Sequence, residues 1–182
     1  GFPRNPCLVA QNEQGQHGAG IATDGRIVWA AFRPRYGTLD GAMLRYDTRT
    51  GHASYRIGAI EQQHVLNPIY DPASGQLVAG TSCLSDCDTA TPVHDTAWMV
   101  QLDPDTMEIR ARCSAPAGVH TVVSHGPLGD GLWLCACEDR LMVFDPTDKT
   151  LTPFGATQAD GAGRSLTCAG TPGRFLLQSE DQ

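Results

Sequence analysis

The sequence predicts an all-β chain of short antiparallel strands, and three observations carry that expectation. Apolar segments are short, enriched in β-branched and aromatic residues, and bounded by Gly, Pro, Asp or Thr. Nearly the same turn occurs four times, as YDTRTG (46–51), YDPASG (70–75), LDPDTM (102–107) and FDPTDK (144–149). No window sustains a helical period, and 20 Gly with 12 Pro in 182 residues exceed what a helical chain tolerates.

In chain order, PCLVAQ (6–11) offers a leading outer strand. HGAGIATDG (17–25) is an inner strand running into a Gly turn, GRIVWAAF (25–32) a second strand, GAMLRY (41–46) a third and HASYRIG (52–58) a fourth. The series restarts with HVLNPIYDPASG (64–75), GQLVAGTSC (75–83), DTAWMVQ (95–101) and EIRARCS (108–114). It restarts again with HTVVSHGPLGDG (120–131), GLWLCACE (131–138), DRLMVF (139–144) and TLTPFG (150–155). SLTCAGTPGRFLLQ (165–178) supplies two strands of a fourth unit. Three of the repeated turns join strands three and four of a unit, whereas YDPASG joins strands one and two. In each, the Asp carboxylate accepts from turn amides and Gly suits the left-handed position.

Units start at His17, His64 and His120, 47 and 56 residues apart. Four strands per 40 to 50 residues is the spacing of β-propeller blades. The chain thus reads as about 3.5 to 4 four-stranded blades: a leading segment 1–16, blades at 17–63, 64–119 and 120–163, and a partial blade at 164–182. The second blade carries a long loop at 84–95 between its strands two and three, where such scaffolds place specificity. Two closures follow: a small closed ring, or part of a seven- or eight-bladed ring completed by a second copy or another chain segment.

The net charge of −7, with one Lys among thirteen cations and no basic cluster, argues against nucleic acid and anionic membrane as partners. No apolar run reaches the roughly 18 residues of a membrane span. The start, GFPRNPC, lacks an initiator Met and a charged-then-apolar leader, and reads as processed or cut from a longer chain. Seven cysteines cannot all pair within one chain, which leans toward thiols in a cytoplasmic setting; a sensor domain would be extracytoplasmic.

GLWLCACEDRLMVFDPTDKTLTPF (131–154) resembles the repeat of propellers in the sensor halves of bacterial hybrid two-component regulators. GRIVWAAF and GAMLRYDTRTGHASYRI follow the same pattern with a longer loop. More loosely, the blades look like those of quinoprotein-like propellers and the streptogramin B lyase group. The resemblance spans most of residues 17–155 and implies the fold; its motifs build blades and recur across many functions.

His17, His64 and His120 recur where each inner strand begins, near one rim of a propeller channel. A ring of imidazoles there would hold a transition metal or supply an acid–base group; alternatively each His caps an interblade loop. Cys83, Cys87 and His94 form a C-x3-C-x6-H array suited to a divalent metal such as zinc, or a local disulfide, or free thiols. Cys135 and Cys137 alternate on one strand and read as buried packing, and Trp29, Trp98 and Trp133 as interblade packing. There is no G-x-S-x-G, no P-loop, no G-x-G-x-x-G before a helix and no cofactor-binding pattern. The expected role is therefore a noncatalytic recognition module that binds a small ligand or protein through rim loops. The alternative is a propeller lyase or hydrolase using the histidine rim.

Overall fold

A computed structural model describes residues 15–154 and the strands Ser165–Cys168 and Phe175–Gln178; the expected leading strand at 6–11 lies outside them. The chain is all-β. The first sheet comprises β1 (Gly15–Thr23), β2 (Ile27–Pro34), β3 (Ala42–Asp47) and β4 (Ala53–Ile57). The second comprises β5 (His64–Asp71), β6 (Gln76–Ser82), β7 (Trp98–Leu102) and β8 (Ile109–Ser114). The third comprises β9 (Val122–Gly129), β10 (Leu132–Cys137), β11 (Arg140–Asp145) and β12 (Thr150–Pro153), and β13 (Ser165–Cys168) pairs with β14 (Phe175–Gln178). Every four-stranded sheet is an antiparallel meander in chain order, consistent with a β-propeller-like fold. Among the described residues the one helical element is a 3-10 turn at Asp86–Asp88, and no helix is long and apolar enough to cross a membrane.

The four repeated turns share one hydrogen-bond scheme. Asp47, Asp71, Asp103 and Asp145 each use a carboxylate oxygen to accept the amide two residues on, and the same side chain accepts the next amide. The fifth residue is left-handed in all four. Gly51 (φ 74°) and Gly75 (φ 67°) fill it in two, as the sequence suggests, but Met107 (φ 59°) and Lys149 (φ 56°) fill it in the others. The Met107 amide donates to the Asp103 carbonyl at 2.8 Å, and its side chain is buried between the first and second sheets. Packing there offsets the cost of a left-handed non-glycine residue.

Packing between sheets follows from the two-residue period of the strands. Leu77 and Ala79 of β6, with Trp98, Val100 and Leu102 of β7, point into a core shared with Ala22, Ile27, Trp29, Ala31 and Met43 of the first sheet. The intervening Val78 and Met99 point the other way, into a core with Trp133, Cys135, Cys137, Met142 and Phe144 of the third. The middle sheet is therefore apolar on both faces, which explains why β6 is buried almost throughout while the outer strands β4 and β12 are not. Gly80 marks the closest approach: a Cβ there would lie 2.0 Å from the Val122 carbonyl oxygen of β9. Beyond the sheets themselves, β5 lies against β1 and β9, and β9 against β13, so the first strand of each sheet adjoins the first strand of the next.

The stack also has a direction. In each sheet, call leading the face that holds the residue just before the turn Asp and its β-partner: Tyr46 with Val28, Leu102 with Leu77, Phe144 with Trp133. The leading face of the second sheet meets the first sheet, and the leading face of the third meets the second. Each trailing face, carrying Trp29 and Met43 or Val78 and Met99, receives the sheet that follows.

Candidate functional site

Because the sheets are antiparallel meanders stacked in one sense, β1, β5 and β9 begin, and β2 and β6 end, at the same rim. The long loop after β6 lies across this rim. Its first turn is held by its own side chains: Ser85 Oγ donates to the Ala90 carbonyl and accepts the Ala90 amide, and Thr89 Oγ1 donates to the Asp86 carbonyl. The Gly37 amide donates to Thr89 Oγ1 at 3.0 Å, which ties the loop to the segment between β2 and β3. Cys87 and Asp88 are consecutive non-glycine residues at φ 53° and 54°, a sparsely populated conformation that tends to accompany functional loops.

This turn places Asp86 inward, 5% exposed despite being an acid on a loop. Its Oδ2 lies 2.9 Å from His17 Nδ1 of β1, and its Oδ1 lies 3.6 Å from Arg33 Nη1 at the end of β2. A buried carboxylate without partners would be costly; here two side chains of the neighbouring sheet provide them. Beside it lies a cavity of about 160 Å3, lined by Arg33, His64, Ser82, Ser85, Asp86 and Thr121 among others. Ser82 Oγ and Thr121 Oγ1 are 3.1 Å apart, so the second and third sheets meet at its wall.

His64 is the first residue of β5 and is 5% exposed. Gly41 leaves the room for it, since a Cβ at Gly41 would lie 2.4 Å from His64 Cβ. The Nδ1 atom is buried with no hydrogen-bond partner. Burial pushes the imidazole down to about 4, with the Arg33 charge adding to the fall and Asp86 opposing it. His64 is thus a neutral group at neutral pH.

Of the three histidines singled out by spacing, His17 and His64 share the surroundings of Asp86. His120 contributes through its main chain: its carbonyl accepts the Cys83 amide at 3.1 Å and the Cys83 thiol at 3.5 Å. The array Cys83, Cys87 and His94 is spread apart. Cys83 is buried against the His120 carbonyl, Cys87 is exposed next to Tyr36, and the His94 ring is tilted against Trp98 with centroids 5.0 Å apart. Among the described residues no three His, Cys, Asp or Glu side chains gather as a metal-holding group. Cys135 and Cys137 are buried on one face of β10. The indole N–H groups of Trp29 and Trp133 both reach across to the second sheet, to Pro104 O and Gln76 Oε1.

Arg33, Ser82 and Thr121 had no signal of their own in the sequence, and Asp86 was one of several acids in the loop. A wider open groove of about 410 Å3 between β8 and β12 collects Arg110, Arg112 and Lys149, three of the thirteen cations. Two of them are already engaged: Arg110 pairs with Asp103, and Arg112 lies over the Trp98 ring at 4.5 Å. The rim cavity is the better candidate because four of its polar groups, His64, Ser82, Ser85 and Asp86, are buried and preplaced. Compared with protein-family models and with curated protein sequences, the chain matches none.

Proposed function

We propose that this chain is a noncatalytic recognition module built from β-propeller blades, which binds a small ligand or a protein side chain at the rim cavity. The observation that carries this reading is the buried Asp86 carboxylate, held by His17 and Arg33 of one sheet beside the neutral His64 of the next. Such a set presents an acceptor, a cation and hydroxyl groups in fixed places, which is what orientation of a small polar ligand needs. An imidazole held down to about 4 is a weak base and is not the imidazolium acid at neutral pH, so His64, with one N–H donor and one acceptor nitrogen, suits hydrogen bonding better than acid–base work.

The test is a thermal-shift screen of polar small molecules and short peptides, followed by the same screen on Arg33→Ala and Ser82→Ala. Hits should raise the melting temperature of the parent and lose that effect in the variants, and the hit compound should be recovered unchanged.

One observation favours the second reading, a propeller lyase or hydrolase. The exposed His17 ring is oriented through Nδ1 by a buried carboxylate, the arrangement that leaves Nε2 free as a general base. Turnover of a hit by the parent, lost in His17→Gln, would replace recognition with catalysis.

A further inference from the structure

The walls of the rim cavity do not balance in charge. Arg33 faces Asp86 at 3.6 Å, so these two offset each other. Asp88 also lines the cavity, and among the described residues its carboxylate has neither an ion pair nor a hydrogen bond. With His64 neutral, one negative charge stands uncompensated, in a chain whose net charge of −7 already draws cations. The hydrogen-bonding groups lean the same way. Asp86 has taken two partners, His17 and Arg33, of the about four that a carboxylate accepts. The His64 ring lines the cavity at 5% exposure, and its Nδ1 is buried with no partner. Ser82 Oγ and Thr121 Oγ1 share one proton across 3.1 Å, and Arg33 is the one charged donor in the walls.

Such a cavity fits a ligand that brings a positive charge and several N–H donors. A primary ammonium carries both on one compact nitrogen. The half-buried Leu66 and Leu84 add apolar wall for a short carbon chain. The volume of about 160 Å3 is roughly five times the share of one water molecule in the liquid, which suits a few methylenes and their ammonium. A ligand carboxylate would instead meet Asp86 and Asp88. A metal ion lacks its ligand set, because among the described residues no three His, Cys, Asp or Glu side chains gather to hold one. We infer that the rim cavity takes a primary alkylammonium group, its nitrogen among Asp86, Asp88 and His64 and its methylenes against Leu66 and Leu84. This assignment rests on the reading of the cavity as a recognition site. The chemistry is the same whether the group belongs to a free aliphatic amine or to a lysine side chain.

The experiment is an NMR titration of the full chain with n-butylamine, its neutral isostere n-butanol and its anionic counterpart butyrate, each against potassium chloride of equal ionic strength. The readout is the His64 ring protons, assigned by their loss in His64→Gln. The expected result is a saturable shift with butylamine that the other two probes and the salt do not produce. Asp88→Asn should weaken it about two- to five-fold, the range for an exposed ion pair, and asparagine suits the left-handed backbone there, φ 54°. A capped lysine, N-acetyl-lysine amide, separates the two sources. Saturation with it as well marks a lysine side chain, saturation with butylamine alone a free amine, and both support the inference. A shift from butanol, butyrate or potassium chloride equal to that from butylamine overturns it while the cavity stands as a recognition site. So does butylamine binding that Asp88→Asn leaves unchanged. A ring that no probe moves also overturns it, and takes the recognition reading with it only if the thermal-shift screen is empty too.

Discussion

The indole N–H of Trp29 donates to the carbonyl oxygen of Pro104 at 2.8 Å, tying β2 of the first sheet to the turn between β7 and β8 of the second. Arg45 Nε reaches the same oxygen at 3.1 Å, and the Trp29 ring stacks on Tyr70 with centroids 4.9 Å apart. Trp29→Phe keeps most of the packing and leaves Pro104 with Arg45 alone, so it should cost about 1 to 2 kcal/mol. Trp29→Ala should cost about 3 to 5 kcal/mol, because the cavity term then adds to the lost burial. Urea unfolding of both variants measures this; equal losses would mean that the hydrogen bond, not the packing, dominates.

Gly80 and Gly41 both make close contacts that no side-chain rotation relieves, one between the second and third sheets and the other between the first and second. At Gly80 the obstacle to a Cβ is backbone, the Val122 carbonyl, so Gly80→Ala must part the second and third sheets and should cost roughly 3 kcal/mol or more. At Gly41 the obstacles are His64 Cβ at 2.4 Å and the Phe32 carbonyl oxygen at 2.6 Å, so Gly41→Ala must shift the start of β5 away from β2 and carry the His64 ring with it. Its imidazole should then titrate nearer the ordinary value, which NMR of the histidine ring protons would read. A cooperative Gly80→Ala protein as stable as the parent would show that the sheets are less tightly apposed than described.

The left-handed fifth position of the turns separates backbone strain from packing. Lys149 is exposed, so Lys149→Gly should remove strain and stabilise by up to about 1 kcal/mol, less the added freedom of the unfolded chain. Met107 has the same φ but a buried side chain, so Met107→Gly should destabilise by roughly 1 to 2 kcal/mol, lost burial exceeding relieved strain. Thermal melts should move in opposite directions; movement in the same direction would remove the strain argument.

Acid should act on stability in two windows. His64 has its folded value lowered to about 4 from an ordinary 6.5, so its contribution is full above about 6.5 and is lost as pH falls toward 4. That loss approaches roughly 3 kcal/mol at the lower end. Asp103 is lowered to about 2, first by the Thr106 amide, and Asp47 is lowered further, first by its hydrogen bond from Arg26; their contributions are lost only below about pH 4. Denaturation of His64→Gln across pH should therefore flatten the profile between 6.5 and 4 and leave the more acidic decline in place. A variant profile parallel to the parent's would assign the first window to another group.

How legible the molecule is depends on the range of the interactions involved. Strand positions and the shared turn were readable because alternation and an Asp followed by turn residues are local signals. The special place of YDPASG between the first two strands of its sheet was readable for the same reason. That the fifth turn position would be Met107 or Lys149 was not, because the reward for the former comes from a core assembled across sheets. The rim site was half visible. His17 and His64 stood out by recurring at strand starts, but Asp86 meets His17 across 69 residues and depends on a turn with two left-handed residues. Arg33 at the end of an apolar strand carries no pattern that distinguishes it from a solvent-facing cation.

The two-sided burial of the middle sheet has a consequence for how the protein comes apart. A sheet with one wet face can persist after its neighbour leaves; one whose Leu77 and Val78 point into different cores cannot lose either companion without exposing a full apolar surface. Detachment of the first or third sheet should therefore drag β5 to β8 with it, and the slowest-exchanging amides, in β6 and β7, should all be released in one common opening event rather than strand by strand. The repetitive chain is in that sense a single cooperative unit whose hinge of collapse lies at its centre.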